Sequence, residues 1–534
     1  MDHLETDVLI IGCGIAGASA ALRLAEDPEL HITVVTAEAD PHESNTYYAQ
    51  GGIIYRGDDD SPKLLMEDIE RAGAGLSNPA AVRIVAEEGP ALVRTFLVDK
   101  LGVPFDSIPG HGMERIKEAA HSTQRIIHVG DYTGRAIQEK LVEALRASSA
   151  NIHLRTRHTA VDLLTPSHHS RNRLAVYDPL SCVGAYVFDQ TTGQVEAYLA
   201  KKTILATGGL GRIFLYSTNP PDARGDGLAM AYNAGARIIN AEYVQFHPTA
   251  FHYLGQARFL VSEALRGAGG RLVDDHGEPF MQKYAPEWKD LAPRDVVARS
   301  IHQQMLTTGS KCVYLDLKSY LPADQIKAHF PVIHQKCLEY GVDITRDWIP
   351  VVPAAHYHCG GVWVDEYGHS SIRNLYAVGE VSCSGVHGAN RLGSASLLEG
   401  LVWGARAADD ARRTLGEPRT GRGVEYRLGI QPNDIPPWHD EGLTEVADPA
   451  LVQQDMTTIQ HIMWNYVGLV RSARRLDRAI SDLRNLQVDI TRFYGSTKLS
   501  HELIGLRNAV QSALIVAQAA WENKVSQGCH YRVD

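Results

Sequence analysis

Much is missing from this chain, and each absence narrows the field. Its 534 residues contain seven cysteines, Cys13, Cys182, Cys312, Cys337, Cys359, Cys383 and Cys529, scattered singly with no C-x-x-C pair. That spacing argues against a disulfide framework, a zinc knuckle or an iron–sulfur cluster, and points to reduced thiols in a cytoplasmic compartment. Positive charge is also short. A net charge of −11 disfavours a nucleic-acid or phospholipid surface, so an anionic ligand must meet locally placed cations. No uninterrupted apolar run approaches the ~18 residues of a membrane span. No basic and apolar leader precedes the first strand pattern, which begins almost at Met1, so none is expected. Internal repeats and low-complexity tracts are lacking as well. The apolar (44%) and charged (22%) fractions are those of a globular protein, and the length predicts two to four domains.

What is present begins with Gly-Cys-Gly-Ile-Ala-Gly at 12–17, after the apolar run Asp7 to Ile11 and before a helical pattern from Ala18 to Glu26. Strand, glycine turn and helix stand in the order of a dinucleotide fold. Gly12 permits the tight turn, Gly14 lets a pyrophosphate approach the backbone, and Gly17 allows close helix packing. The second strand, Ile32 to Val35, ends at Thr36, where an acid for a ribose hydroxyl is expected. Glu38 is the substitute, or else an exposed loop carboxylate. Downstream, Ser44-Asn45-Thr46-Tyr47-Tyr48-Ala49-Gln50-Gly51-Gly52 reads either as a loop that approaches a flat ring or as a plain glycine turn. Ala206-Thr207-Gly208-Gly209 closes another strand-like run and suits a return to the same nucleotide.

The pattern along the chain is uneven. Residues 1–240 alternate strand and helix, with a helix expected over Thr133–Ala147 and strands near 152–164 and 183–206. Residues 241–355 are irregular and rich in His, Pro and Arg, with short helices such as Pro293–Met305, and read as an inserted domain. Residues 374–381 form a buried-strand pattern, followed by a helix over 394–414. Gly416–Trp438 reads as a linker, and Leu451–Val525 as a helical bundle. The expected fold is α/β: a Rossmann-like dinucleotide-binding domain from 1–240 and 356–420, an inserted α+β capping domain over 241–355, and a C-terminal helical domain over 421–534.

The loop at 44–52, the segments Ala-Thr-Gly-Gly, Thr-Asn-Pro and Gly-Asp-Gly within 206–227, Gln-Phe-His-Pro-Thr at 245–249, Glu-Ala-Leu-Arg-Gly at 263–267, Pro-Arg-Asp at 293–295, Pro-Ala-Ala-His-Tyr at 353–357 and Gly-Ala-Asn-Arg at 388–391 resemble the flavoprotein family of succinate dehydrogenase, fumarate reductase and L-aspartate oxidase. The likeness runs in order through almost the whole chain, and is strongest to the L-aspartate oxidase branch. The dehydrogenases carry a flavin-linked histidine where this chain has Asn45, so the resemblance implies noncovalent FAD. Lys117-Glu118-Ala119-Ala120-His121 resembles the oxidase segment whose glutamate lies near the substrate amine, although the family usually has Gly-Gly in place of Ala119-Ala120.

The resemblance implies an FAD set of Cys13, Ile15 and Ala16 with the three glycines, Ala37, Asn45 to Gly52, Thr159 and Ala160 near the adenine, Asp226, Glu380, Ser396 and Leu397. For Asp226 and Ser396, helix capping is an equally open reading. It implies oxidation of L-aspartate to iminoaspartate, with oxygen (giving hydrogen peroxide) or fumarate as acceptor, at the start of NAD biosynthesis, with quinolinate synthase as pathway partner. A succinate–fumarate complex subunit is the competing reading. An RNA-modifying flavoprotein is a third, disfavoured by the acidic charge.

A dicarboxylate in a dry site needs cationic or hydrogen-bonding anchors. Arg391 offers a bidentate fork, or else a surface ion pair. His247, before Pro248, and His356 are candidate donors or structural histidines, and Ser262 stands where the family holds a carboxylate with threonine. Glu118 would pair with an ammonium, or is a solvated loop carboxylate. Arg294 is the family's proton-transfer residue; an arginine base is chemically awkward, which leaves a relay or an electrostatic role open. Glu263 and Arg266, one helical turn apart, read as an ion pair.

Overall fold

A computed structural model describes residues 4–118, 120–254, 256–415 and 434–534. Ala119 and the expected linker as far as residue 433 lie outside the described residues. The chain opens with β1 (Leu4–Ile11), whose Val8, Leu9 and Ile10 are wholly buried because helices cover both faces of a parallel strand. Next come α1 (Ile15–Leu24), β2 (Ile32–Val35), α2 (Pro62–Ala72), α3 (Thr133–Ala147), β3 (Ile152–Arg155), β4 (His158–Leu163), β5 (Gly184–Asp189), β6 (Gln194–Leu205) and α4 (Asp226–Asn233). Strand order is β3-β2-β1-β6-β5-β4. Strands β1, β2, β3 and the second half of β6 run parallel, while β5 and β4 extend the sheet antiparallel.

The second unit holds β7 (Val244–Tyr253), β8 (Gln256–Leu260), β9 (Arg271–Val273), α5 (Arg294–Thr308), β10 (Val313–Asp316) and β11 (Ile349–His358). The region over 241–355, irregular in its sequence pattern, folds as an α+β unit of the expected class. Its core is a five-stranded antiparallel sheet in the order β8-β7-β11-β10-β9. Pro248, Pro350 and Pro353 lie inside its strands and hide the alternation that would reveal them. Phe251, Leu272, Val297, Leu315 and Val351 belong to a hydrophobic core separate from that of the parallel sheet.

The chain then returns through β12 (Leu375–Ala377), which pairs parallel with the end of β6, and α6 (Ala395–Leu415), which packs on α1. Helices α7 (Pro449–Tyr466), α8 (Ala473–Ser496) and α9 (His501–Glu522) form the tail. Their Ile459, Leu476 and Leu506 join the same core as the parallel sheet. Among the described residues one helix, α9, is long and apolar enough to cross a membrane, and 78% of its apolar stretch is buried within the fold.

Candidate active site

Backbone geometry explains the glycine turn after β1. Gly12 has φ +108°, and a Cβ there would strike the carbonyl of Ala206 at the end of β6. Helix α1 starts at Gly14 with no side-chain cap, so its first amides face out of the turn, apart from Ile15 N, which donates to Thr46 Oγ1 at 3.0 Å. Cys13 and Ala16 are buried, the Cys13 thiol donating to the Pro41 carbonyl at 3.0 Å. The 45–52 loop is seated on the start of α3: Gly134 N donates to the Ala49 carbonyl at 2.9 Å, and Thr133 Oγ1 to the Gly51 carbonyl at 2.6 Å.

Asn45 Nδ2 donates to Glu380 Oε2 at 2.6 Å and Asn219 Nδ2 to Asn45 Oδ1 at 3.0 Å. Tyr47 and Gln50 are half-buried, while Tyr48 turns outward and donates its phenol to Glu43 at 2.7 Å. Other candidate FAD residues are partly committed to the protein. The carbonyl of Ala37 accepts from Gln190 at 2.7 Å, Thr159 Oγ1 contacts His501 Nδ1 at 2.8 Å beside buried Ala160, and Asp226 Oδ1 accepts from Asn508 at 3.1 Å. Asp226 is the first residue of α4 and makes no capping bond, and Ser396 Oγ, next to buried Leu397, accepts from Arg391 Nη1 at 2.9 Å. The capping reading of Asp226 is thereby replaced.

Glu38 is half-buried rather than an exposed loop residue, which corrects that alternative. Burial, then the Asp222 carboxylate, pushes its carboxyl up to about 7, and burial likewise raises Glu380 to about 7. The Thr207 hydroxyl is buried without a partner between Gly12 and the start of α4. Free helix-start amides, a lone hydroxyl and two burial-strained carboxylates fit a dinucleotide, whose pyrophosphate needs N–H donors and whose ribose and ribitol hydroxyls need acceptors.

Facing this cradle, two β-bulges shape the second unit. The register of β7 on β11 moves from Gln245 opposite Tyr357 to Phe246 opposite Ala355, leaving His356 as the extra residue; a second shift lies between His247 and Ala250. Bulges re-aim side chains, and here the two imidazoles meet with centroids 5.6 Å apart. Thr249 N donates to His247 Nδ1 at 3.2 Å, and His356 Nδ1 contacts Thr218 Oγ1 at 2.9 Å. Burial holds both imidazoles well below their ordinary pKa, helped by Arg294 at His247 and by Arg391 and Arg294 at His356. Both rings are therefore neutral, and with His247 Nδ1 accepting, its Nε2–H is free to donate.

Arg391 is buried rather than a surface residue. Its guanidinium donates to Gln245 Oε1 at 3.2 Å and to Ser396, and lies 4.7 Å above the Tyr357 ring. Arg294 begins α5 behind Pro293, with its Nε donating to Glu263 Oε2 at 2.7 Å. The expected Glu263–Arg266 pair is present at 3.9 Å, and Arg294 is a second, closer partner at 2.7 Å. Burial opposes the charge of Arg294, but Glu263 and then Glu118 outweigh it and raise its pKa. Ser262 is half-buried and accepts from Ala264 N at 3.2 Å.

Glu118 is half-buried, not a solvated loop residue. Ser394 Oγ donates to its Oε2 at 2.8 Å, and a Cβ on Gly51 or on Gly393 would come within 2.6 Å of its carboxylate oxygens. Gln245, Tyr357 and Ser394 are residues the sequence reading missed. The first two adjoin the histidine motifs on paired strands, whereas no spacing flags Ser394. Ala120 adopts φ +67°, a left-handed conformation that costs an L-residue about 1–2 kcal/mol. Ala120→Gly is expected to raise stability by about 0.5–1 kcal/mol, read from the denaturant midpoint at constant m-value.

A dinucleotide cradle on a parallel sheet, overlaid by a second unit that brings arginines and neutral histidines to it, defines the class of FAD-binding flavoproteins. Family models agree: residues 7–397 match the FAD binding domain and residues 456–534 the fumarate reductase flavoprotein C-terminal domain. Escherichia coli quinol fumarate reductase superposes with a TM-score of 0.86 at 26% identity, covering 100% of this chain and 92% of that one. L-aspartate oxidase 1 of Ralstonia nicotianae is 42% identical, over 99% of this chain and 96% of its own length. L-aspartate oxidase of Yersinia pestis is 40% identical, over 100% and 96%. The chain belongs to the L-aspartate oxidase family.

Proposed function

We propose that the protein oxidises L-aspartate to iminoaspartate at noncovalently held FAD, passing electrons to oxygen, with hydrogen peroxide as product, or to fumarate. The reaction would open NAD biosynthesis in the cytoplasm, with quinolinate synthase as the pathway partner taking up the product. FAD, when bound, supplies the two-electron acceptor. Asn45, in place of a linking histidine, supports noncovalent attachment. The observation that carries the reading is the Glu118 carboxylate, lodged against Gly51 and Gly393 on the side of the site that also holds Arg294. A site with a cationic anchor for one carboxylate, neutral hydrogen-bond donors for the other and one anion beside them suits a dicarboxylate that carries an ammonium.

In this reading Arg391 grips one carboxylate with its planar fork, held by Gln245 and Ser396. Neutral His247 and His356, with Ser262, donate to the other carboxylate. Glu118 orients the ammonium and takes part in its deprotonation. Arg294, kept protonated by Glu263 and Glu118, moves a proton through Glu263 rather than acting as a free base. The separate core of the second unit lets it close on the cradle as a body and exclude water.

The test is anaerobic mixing of the purified yellow protein with L-aspartate and, separately, succinate. Bleaching of the visible flavin band by L-aspartate, reversed by air, is the expected result; bleaching by succinate alone would transfer the protein to the dehydrogenase reading. Glu118→Gln separates the amine contact from the rest. It should raise KM for L-aspartate by roughly 10–100-fold, the worth of one charged hydrogen bond, and affect fumarate reduction far less. Equal losses in steady-state assays of both directions would remove Glu118 from amine recognition.

A further inference from the structure

Glu118 lies on a loop held at the site by Ser394 and, through His121, by Gly393, and anchored at its other end away from it. Its base is closed by Ile116 and Ile126, which exchange backbone hydrogen bonds of 2.9 and 3.1 Å. Its return arm is tied to α2 by one buried carboxylate. Asp68, with no exposed surface, accepts from both the Ser122 amide and the Ser122 hydroxyl at 2.8 Å. Arg125, equally buried, bridges Asp68 Oδ2 at 3.1 Å and Asp60 Oδ1 at 3.0 Å, and donates to Ser122 Oγ at 3.2 Å. Arg71 closes the group from the exposed side of α2. Between the clamp and Glu118 sits His121, buried, its Nε2 3.1 Å from the carbonyl of Gly393 and its amide donating to the Glu118 carbonyl at 3.2 Å.

We propose that Asp68, with Ser122 and Arg125, is the positioning device that fixes Glu118 against Gly51 and Gly393, and so sets selectivity for amino dicarboxylates over those without an amine. This rests on the proposed L-aspartate oxidation. A buried ion pair is a poor source of net stability, because desolvation offsets its attraction, but it defines geometry sharply. Asp60, Asp68 and Arg125 are costly groups gathered under a loop whose one inward carboxylate needs accurate placement. The anchors for the substrate carboxylates lie on other segments, Arg391 after β12 and the histidines on β7 and β11, and the clamp touches none of them. Loosening it frees Glu118 and leaves the carboxylate grip in place.

The experiment uses the holoenzyme and its Asp68→Asn and Ser122→Ala variants. It measures KM and kcat for L-aspartate and for fumarate, with amide hydrogen exchange over residues 117–125. Asp68→Asn is expected to raise exchange in that segment and to raise KM for L-aspartate about tenfold or more, with KM for fumarate within about twofold. Ser122→Ala, which removes one bond and keeps both charges, should show the same split at about threefold, and it decides the matter if Asp68→Asn does not fold. An equal rise for both substrates, or faster exchange with unchanged selectivity, makes the clamp purely structural and overturns the proposal. Failure of the unmodified enzyme to bleach with L-aspartate would overturn the functional reading along with it, whereas bleaching without the split overturns the clamp alone.

Discussion

Arg294→Leu is expected to lower kcat for both L-aspartate oxidation and fumarate reduction by about three orders of magnitude, in the range of a lost proton-transfer group. The effect has two sources. The guanidinium that donates to Glu263 at 2.7 Å disappears, and Glu263 keeps only the more distant Arg266 at 3.9 Å. In the intact protein, burial raises the Glu263 carboxyl, but Arg294 and then Arg266 outweigh burial and hold it below its ordinary range. A depressed carboxyl contributes stability above its unfolded pKa and loses it as pH falls through the folded value. Without Arg294 the balance moves toward burial, so the carboxyl rises and its contribution shrinks at neutral pH. Glu263 then holds its proton when it should pass it on. Single-turnover flavin reduction by L-aspartate and steady-state fumarate reduction measure the loss, and the ratio of visible to protein absorbance verifies that FAD is retained. Turnover within about tenfold of the unmodified enzyme in either direction would remove Arg294 from the proton path.

How far the sequence reveals such a site depends on whether the chemistry is local. The turn at Gly12–Gly17 is legible because its glycine spacing lies within six residues, and the helix over Thr133–Ala147 because its amphipathic period is uninterrupted. The second unit is opaque for the opposite reason. Its strands carry Pro248 and Pro353 at the bulge beside His247, and His356 is itself the extra residue of the other bulge, so the features that make the site erase the strand pattern. Partnerships formed at long range are the other blind spot. Spacing pairs Glu263 with Arg266, three residues on, but the fold brings Arg294, far along the chain, closer. Ser394 joins Glu118 across 276 positions, and its φ of +58° leaves no mark in residue type. The Asp68 clamp is hidden too, since an aspartate on an amphipathic helix reads as solvated.

Arg391→Lys keeps the charge and removes the fork, and is expected to raise KM for L-aspartate and for fumarate alike by roughly 30–200-fold, the equivalent of about 2–3 kcal/mol. The guanidinium is oriented by its bonds to Gln245 Oε1 and Ser396 Oγ and by the Tyr357 face, 4.7 Å from its central carbon. A lysine ammonium has no planar pair of N–H groups to present to a carboxylate, and it leaves at least one of those buried acceptors without a donor. Retained charge matters for the neighbour: burial first, then Arg391, holds the His356 imidazole neutral, and a lysine preserves that second contribution in sign. Arg391→Ala forfeits it, so the His356 pKa should rise, and the pH profile of kcat/KM should gain a new dependence that the lysine variant lacks. Because both substrates share the carboxylate, the two KM values should move together. That parallel shift distinguishes Arg391 from Glu118, whose replacement is expected to penalise the amine substrate selectively. A rise in KM confined to L-aspartate would place Arg391 at the ammonium side of the site and overturn its assignment as carboxylate anchor.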